Sequence, residues 1–467
     1  MAEQHNEEQY GWEQEDTRVF QLPEKPMTVV YDESIARRPG FSEHSARGIA
    51  GAGFCTQERE KRRRRRTAKR LIGSLAALVI FCTSMYYFLV YSSIPFIEKW
   101  RTIYIETAMG TMTHQWLATA FLPQDVIDSV MNSRTQVQED MKGLSSSWEK
   151  AEEEIETIDY TQAIRPWSEL KSEFGTYYSE IEQSTLESYL ANHPEAIGED
   201  GYLFIDEADY GDEDTGIRTT RGDEVCVVDT RNGIVIITLQ GDTYYGKLAL
   251  VKCAGQVGVA PSEYLGSSGE FLETIVQNNN AILGINASGF YDPDGTGNGG
   301  EAYGMIFSNG ERLRGREGCS MKVISLSEDN KLNVSDKKPS DAREAVQFDP
   351  VLILDGDLLI SGSSGWGLQP RTVIGQTKDG QMMMSVVDGR QVGYSIGITL
   401  GDLSDIFYQY GAYQASNLDG GSSSIMYYDG RAITSSSAAD SEHGRHLPDA
   451  WLVYPADRQT TSGTDSE

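Results

Sequence analysis

From Leu71 to Ile97 the chain runs for 27 residues without Asp, Glu, Lys, Arg or His. About 20 apolar residues span a bilayer as a helix, at about 1.5 Å rise each. Tyr86, Tyr87 and Tyr91 stand toward the C-terminal side, where an aromatic belt belongs. Lys61, the arginines from Arg62 to Arg66, Lys69 and Arg70 come just before the run. Positive charge flanking a span stays cytoplasmic. The pattern predicts a single-pass type II protein. Residues 1–70 form a disordered cytoplasmic tail, residues 71–97 a transmembrane helix, and the remainder lies outside the cell. A buried core helix or a cleaved signal peptide fits less well, given the basic flank and the long segment before the run.

Residues 98–190 read as a helical stalk. Val137, Met141, Leu144, Trp148, Ala151, Ile155 and Ile158 recur at heptad spacing, with Glu152, Glu153, Glu154 and Glu156 between them. This seam suits a coiled coil that pairs two copies, or an amphipathic helix folded back on its own domain. Pro166 and Gly175 divide the region into at least two helices. Residues 191–222 read as an acidic linker. Beyond them the period shortens to that of strands. Val225–Asp229 and Ile234–Leu239 flank a hairpin turn, and 244–252 continues the sheet. Helices are expected at 270–280 and 400–410. Strands are expected at 281–286, 351–354, 358–360, 371–376, 381–388, 415–419, 424–428 and 451–454. Residues 223–456 are therefore an α+β, mixed-sheet domain, and 457–467 a disordered end.

Charge sharpens the division. The net charge is −30, which disfavours nucleic acid as a partner. Residues 1–70 hold 14 basic and 12 acidic residues, and residues 98–467 hold 26 and 58. The acidity thus lies almost wholly beyond the apolar run. Cys226, Cys253 and Cys319 are an odd set there, so at most one disulfide forms among them.

Three segments are richer in glycine and polar residues than a core requires. The first follows a strand ending in Asn286 and runs through Gly289 and Asp292 to Gly300. The second holds Arg371, then Asp388, Gly389 and Arg390. The third runs from Asn417 through Asp419, Gly420 and Gly421 to Ser422 and Ser424. Glycine lets backbone N–H groups approach a ligand, and consecutive N–H groups bind anions. An arginine grips phosphate bidentately, and carboxylates serve as nucleophile, acid or base. These parts suit an anionic sugar phosphate, although Asp-Gly and Asn-Gly also make ordinary turns. Calcium is open at Asp292–Asn298, which lacks the full spacing of a calcium loop. No other cofactor is required. His443 and His446 are open between acid–base groups and exposed loop histidines.

The runs INASGFYDPDGTGNGGEAYGMIFSNGERL, QPRTVIGQTKDG, VVDGRQVGYSIGITLGDLSDIF and NLDGGSSSIMYYDG resemble the phosphodiester glycosidase family, over about 224–455. The resemblance implies cleavage of a sugar from a sugar-1-phosphodiester. By motif, it implies that Arg371, Asp388 and Asp419 are catalytic. On the same motifs Asn286, Arg390, Asn417, Gly420, Gly421 and Arg445 are expected to bind substrate, together with Gly289 and Ser422 of the glycine-rich loops. Ala287, Ser288 and Ser422 stand where the family commonly has glycine, and are expected to add side chains near the substrate. The membrane-anchored arrangement is similar to bacterial members linked to exopolysaccharide. The alternative is a non-catalytic or transferase accessory protein that binds glycan phosphates during polysaccharide assembly.

Overall fold

The computed structural model describes residues 43–154, 158–210, 214–314 and 320–457. The chain divides into two units, Met1–Ser84 and Met85–Glu467. In the first, the described residues are helical from Glu43, in a helix that runs to Tyr91. The tail expected to be disordered therefore lies outside the described residues only as far as residue 42. From Glu43 to Arg70 it is helix, because no proline interrupts the chain between Pro39 and Pro95. Arg59–Tyr91 is long and apolar enough to cross a membrane by length and composition. Leu71, Ile72, Leu75, Leu78 and Val79 on it are all exposed.

The second unit is a mixed helix and antiparallel-sheet fold. Its largest sheet has nine strands, in the order Phe204–Asp206, Glu224–Asp229, Ile234–Gln240, Tyr245–Val251, Met382–Val387, Arg371–Thr377, Ala412–Asn417, Val351–Leu354 and Asp357–Leu358. The apolar run Ile234–Leu239 shows why it sits centrally. Alternate side chains of a strand face opposite ways. Val235, Ile237 and Leu239 enter one core, and Ile234 and Ile236 the other. A second sheet joins Leu332–Ser335, Val323–Ser327, Ala342–Gln347, Ile306–Ser308 and Glu311–Arg314. A third joins Arg431–Ala432, Met426–Tyr428, Leu283–Asn286, Asp449–Val453 and Val257–Pro261.

The region read as a stalk is not a coiled coil. Helices Pro95–Met109, Trp116–Thr119 and Gln124–Asp140 pack on one another through Ile105, Ala108, Ala118 and Ile127. The heptad seam then breaks, since Gly143 takes φ +79°, a conformation open to glycine. Ser146 N–H donates to the Val334 carbonyl at 2.8 Å, and Trp148 Nε1 to the Leu332 carbonyl at 3.1 Å. The seam residues Met141, Trp148 and Ala151 are buried, with the Trp148 ring 5.0 Å from that of Tyr413. Their apolar faces thus meet the sheet domain, and the segment covers the edge strand Leu332–Ser335. Ile155 lies outside the described residues. The acidic linker is also folded in. Leu203, Ile205 and Ile217 are fully buried, and Phe204–Asp206 pairs with Glu224–Asp229.

Candidate active site

Antiparallel pairing brings three chain segments to one end of the large sheet. Arg371 opens its strand opposite Val387, one residue before Asp388, and Val373 faces Asn417 at the end of the next strand. Asn286 ends a strand of the third sheet. Its Nδ2 donates to the Asp419 carbonyl at 2.7 Å, while Asp419 N–H donates to the Ala287 carbonyl at 3.0 Å. Two loops far apart in sequence are thereby held edge to edge.

Beside them lies a cavity of about 1120 Å³. Gly289, Arg371, Arg390, Asn417, Asp419, Gly420, Gly421, Ser422 and Arg445 all line it. Asn286 and Asp388 do not. Asn286 is fully buried, and its Oδ1 accepts from Thr372 Oγ1 at 2.7 Å and Ile425 N–H at 3.2 Å. With both side-chain polar atoms engaged and no surface on the cavity, it is a tie between loops. Asp388 is sealed as well. Its Oδ2 accepts from the Tyr394 hydroxyl at 2.8 Å and its Oδ1 from Ser435 N–H at 3.0 Å. Its carboxylate pins two loops and does not line the cavity, which sets it apart from the other two residues expected to be catalytic.

Asp419 is the expected carboxylate that does reach it. Burial pushes its carboxyl up to about 6, against the Ser423 hydroxyl, the Arg445 charge and the Gly420 N–H, which favour the anion. Burial likewise pushes Asp388 up to about 6.

Arg371 is 5% exposed, yet its bonds go to neutral oxygens. Nη2 donates to the Trp366 and Gly367 carbonyls at 2.8 and 2.9 Å. Burial, then the like charges of Arg390 and Arg134, push its guanidinium down to about 9, with Glu106 opposing. Arg390 donates through Nε and Nη2 to Gln369 Oε1 at 2.9 and 2.6 Å, again a neutral partner. Its guanidinium lies over Gly421, where a Cβ would stand 3.2 Å from Nη1 and φ is +64°. Glycine meets both demands without strain.

Arg445 differs in having a carboxylate partner. Nη1 reaches Asp292 Oδ2 at 2.6 Å and Ser422 Oγ at 3.3 Å, and the guanidinium stacks 4.7 Å over Phe290. Burial would raise the Asp292 carboxyl, but Arg445 and the Gly297 N–H outweigh it and hold it below its ordinary value. The loop considered for calcium therefore spends Asp292 on Arg445 and on Gly297 N–H, at 2.5 Å. Among the described residues no cluster of three or more His, Cys, Asp or Glu is placed to hold a metal.

Two of the three departures from family glycines turn away from the cavity. Ala287 is fully buried in the core. Ser288 binds Asp449, by N–H to Oδ1 at 2.8 Å and Oγ to Oδ2 at 2.7 Å. Only Ser422 faces the cavity. His443 pairs with Asp440 at 3.0 Å, and neither it nor His446 lines the cavity. Cys226 and Cys253 are buried free thiols, and Cys319 lies outside the described residues.

Sequence reasoning missed part of the wall. Arg134 lines the cavity, 5.2 Å over the Trp366 ring, as do Gly110–His114 and Gln369. They come from the region read as stalk and from a residue beside the Pro-Arg-Thr motif. The chemical signal was the motif neighbour Gln369; nothing local marked Arg134.

Residues 279–454 match the family model of phosphodiester glycosidases. Those residues are similar to a phosphodiester glycosidase domain. They include every cavity residue named above except Arg134 and Gly110–His114. A SPbeta prophage-derived protein of Bacillus subtilis is 29% identical over 192 residues, which is 37% of this chain and 28% of that protein. The zebrafish N-acetylglucosamine-1-phosphodiester alpha-N-acetylglucosaminidase catalytic domain is 19% identical, with a TM-score of 0.39, over 47% of this chain and 82% of that one. A protein from Synechocystis is 14% identical, with a TM-score of 0.36, over 51% of this chain and 65% of its own.

Proposed function

We propose that this protein is a membrane-anchored hydrolase that cleaves the glycosyl bond of a sugar-1-phosphodiester in an envelope or exopolysaccharide glycan. The observation that carries the reading is the group Arg134, Arg371 and Arg390 around one cavity with Asp419. Arg371 is buried among like charges and bonded to neutral oxygens. A buried cation in that state is stabilised by a bound anion. A phosphodiester supplies one, on a domain whose overall charge is strongly negative.

In this mechanism the arginines hold the phosphate and take up the charge that grows on the leaving oxygen. Asp419, as the anion, acts as nucleophile or general base at the anomeric carbon. The bond from that carbon to the phosphate oxygen breaks and water supplies the hydroxyl. The products are a free sugar and a phosphomonoester. The basic run before Leu71 supports a cytoplasmic N-terminus and an outward-facing domain.

The test is incubation of the full chain, in detergent and in vesicles, with a panel of soluble sugar-1-phosphodiesters. Free sugar and phosphomonoester are expected in equal amounts. Release of a sugar phosphate, or no turnover with retained glycan-phosphate binding, would sink the reading and favour the accessory role.

A further inference from the structure

Within the second unit, the segment just after the apolar helix has an unusual surface. Phe96, Trp100, Tyr104, Met112, Trp116 and Phe121 are all between 44% and 71% exposed. Phe96, Trp100 and Tyr104 stand four residues apart on the helix Pro95–Met109 and so share one face. The Trp116 and Phe121 rings lie 6.4 Å apart on the next turn of chain. The opposite faces are spent on the small core of Ile105, Ala108, Ala118 and Ile127. From Thr102 to Gln124 the only Asp, Glu, Lys or Arg is Glu106, and it is buried. On a chain carrying −30 this leaves an aromatic surface that is uncharged from Thr102 onward, with exposed Glu98 and Lys99 beside Phe96 and Trp100.

That surface adjoins Met85–Tyr91, the end of the apolar helix that belongs to the same unit. Only residues 92–94 separate Tyr91 from Pro95. Arg101 Nη1 donates to the Leu89 and Ser92 carbonyls at 3.2 and 2.8 Å, and the Tyr86 hydroxyl to the Phe121 carbonyl at 2.8 Å. The same segment reaches the cavity. Gly110–His114, between its two helices, line it. Thr107 Oγ1 accepts from Leu368 N–H at 3.0 Å, and its carbonyl from Gln369 Nε2 at 2.9 Å. Gln369 is the acceptor that holds Arg390.

We infer that the aromatic face of residues 94–121 rests in the headgroup region of the bilayer and holds the cavity rim there, so that the enzyme takes a sugar-1-phosphodiester whose other ester chain is embedded in the membrane. Tyr and Trp favour that depth, and the stretch after Arg101 exposes no acidic or basic side chain that would be lost there. The substrate half of this inference rests on the hydrolase reading; the membrane half does not.

The full chain is reconstituted in phosphatidylcholine–phosphatidylglycerol vesicles containing lipid brominated near the carbonyls. Tryptophan quenching is compared with that of the Trp100→Phe/Trp116→Phe variant. Hydrolysis is then measured on two substrates of one sugar: its 1-phosphodiester with a long-chain alcohol, in the vesicle, and its methyl phosphodiester, in solution. Much of the quenching is expected to vanish in the Phe variant. Trp116→Glu/Phe121→Glu, which leaves the cavity untouched, is expected to lower kcat/KM for the anchored substrate about tenfold while sparing the soluble one. Unchanged quenching overturns the membrane contact, and cross-linking between two copies through residue 116 would assign the face to a second copy instead. Equal loss on both substrates overturns the substrate half. If the wild type turns over neither substrate, the hydrolase reading fails, and quenching still decides the contact.

Discussion

Asp388 and Asp419 follow strand ends in nearly the same way, each just before Gly, and burial pushes both carboxyls up to about 6. Their fates differ. Asp419 opens on a cavity ringed by arginines, whereas Asp388 is closed off by Tyr394 and Ser435. A displaced pKa therefore marks burial, and access decides which carboxylate can do chemistry. Structural and chemical carboxylates can share one local motif when the partners that separate them come from elsewhere in the chain.

The largest effect that would break this comparison is on turnover. Asp419→Asn is expected to lower kcat/KM by roughly a thousandfold or more. Asp388→Asn should cost less than about tenfold, and show itself as a lower thermal midpoint of the solubilised chain. Comparable losses would erase the distinction. Next in size is Arg371→Met, for which a loss of about a hundredfold in kcat/KM is expected if the arginine meets charge that grows in the transition state. A rise in KM alone would mean it merely binds.

Asp292→Asn weakens the hold on Arg445, and an increase in KM of several-fold, on the order of 1 kcal/mol, should appear with kcat nearly kept. Smallest is Ser288→Ala. Its hydroxyl faces Asp449, so activity should stay within about twofold while stability falls by about 1 kcal/mol. An activity loss larger than that of Asp292→Asn would return Ser288 to the substrate site.

Much of the large sheet was legible because its strands are long apolar runs, such as Ile234–Leu239. The second sheet was not. Its strands span three to six residues, too short for a period-two signal. Arg343 and Glu344 even place two charges inside one of them. Glu344 is buried and accepts the Val259 N–H at 3.1 Å, and burial pushes its carboxyl up to about 7. The helical region misled for a related reason. A heptad seam records which residues want burial, but Gly143 decides whether one straight helix presents them. In the site, Asp419 and the arginines were readable from loop chemistry. The Arg445–Asp292 pair spans 153 positions and the Asp388–Ser435 contact spans 47, so their pairing depended on the fold.

Asp419, in its charged form, is expected to own the titration that controls catalysis. The direct measurement is the pH dependence of kcat/KM for wild type and Asp388→Asn on one soluble substrate. Because the anion is the active form, kcat/KM should fall as pH drops through about 6. The same limb should persist in Asp388→Asn. Its disappearance in that variant would hand the role to Asp388.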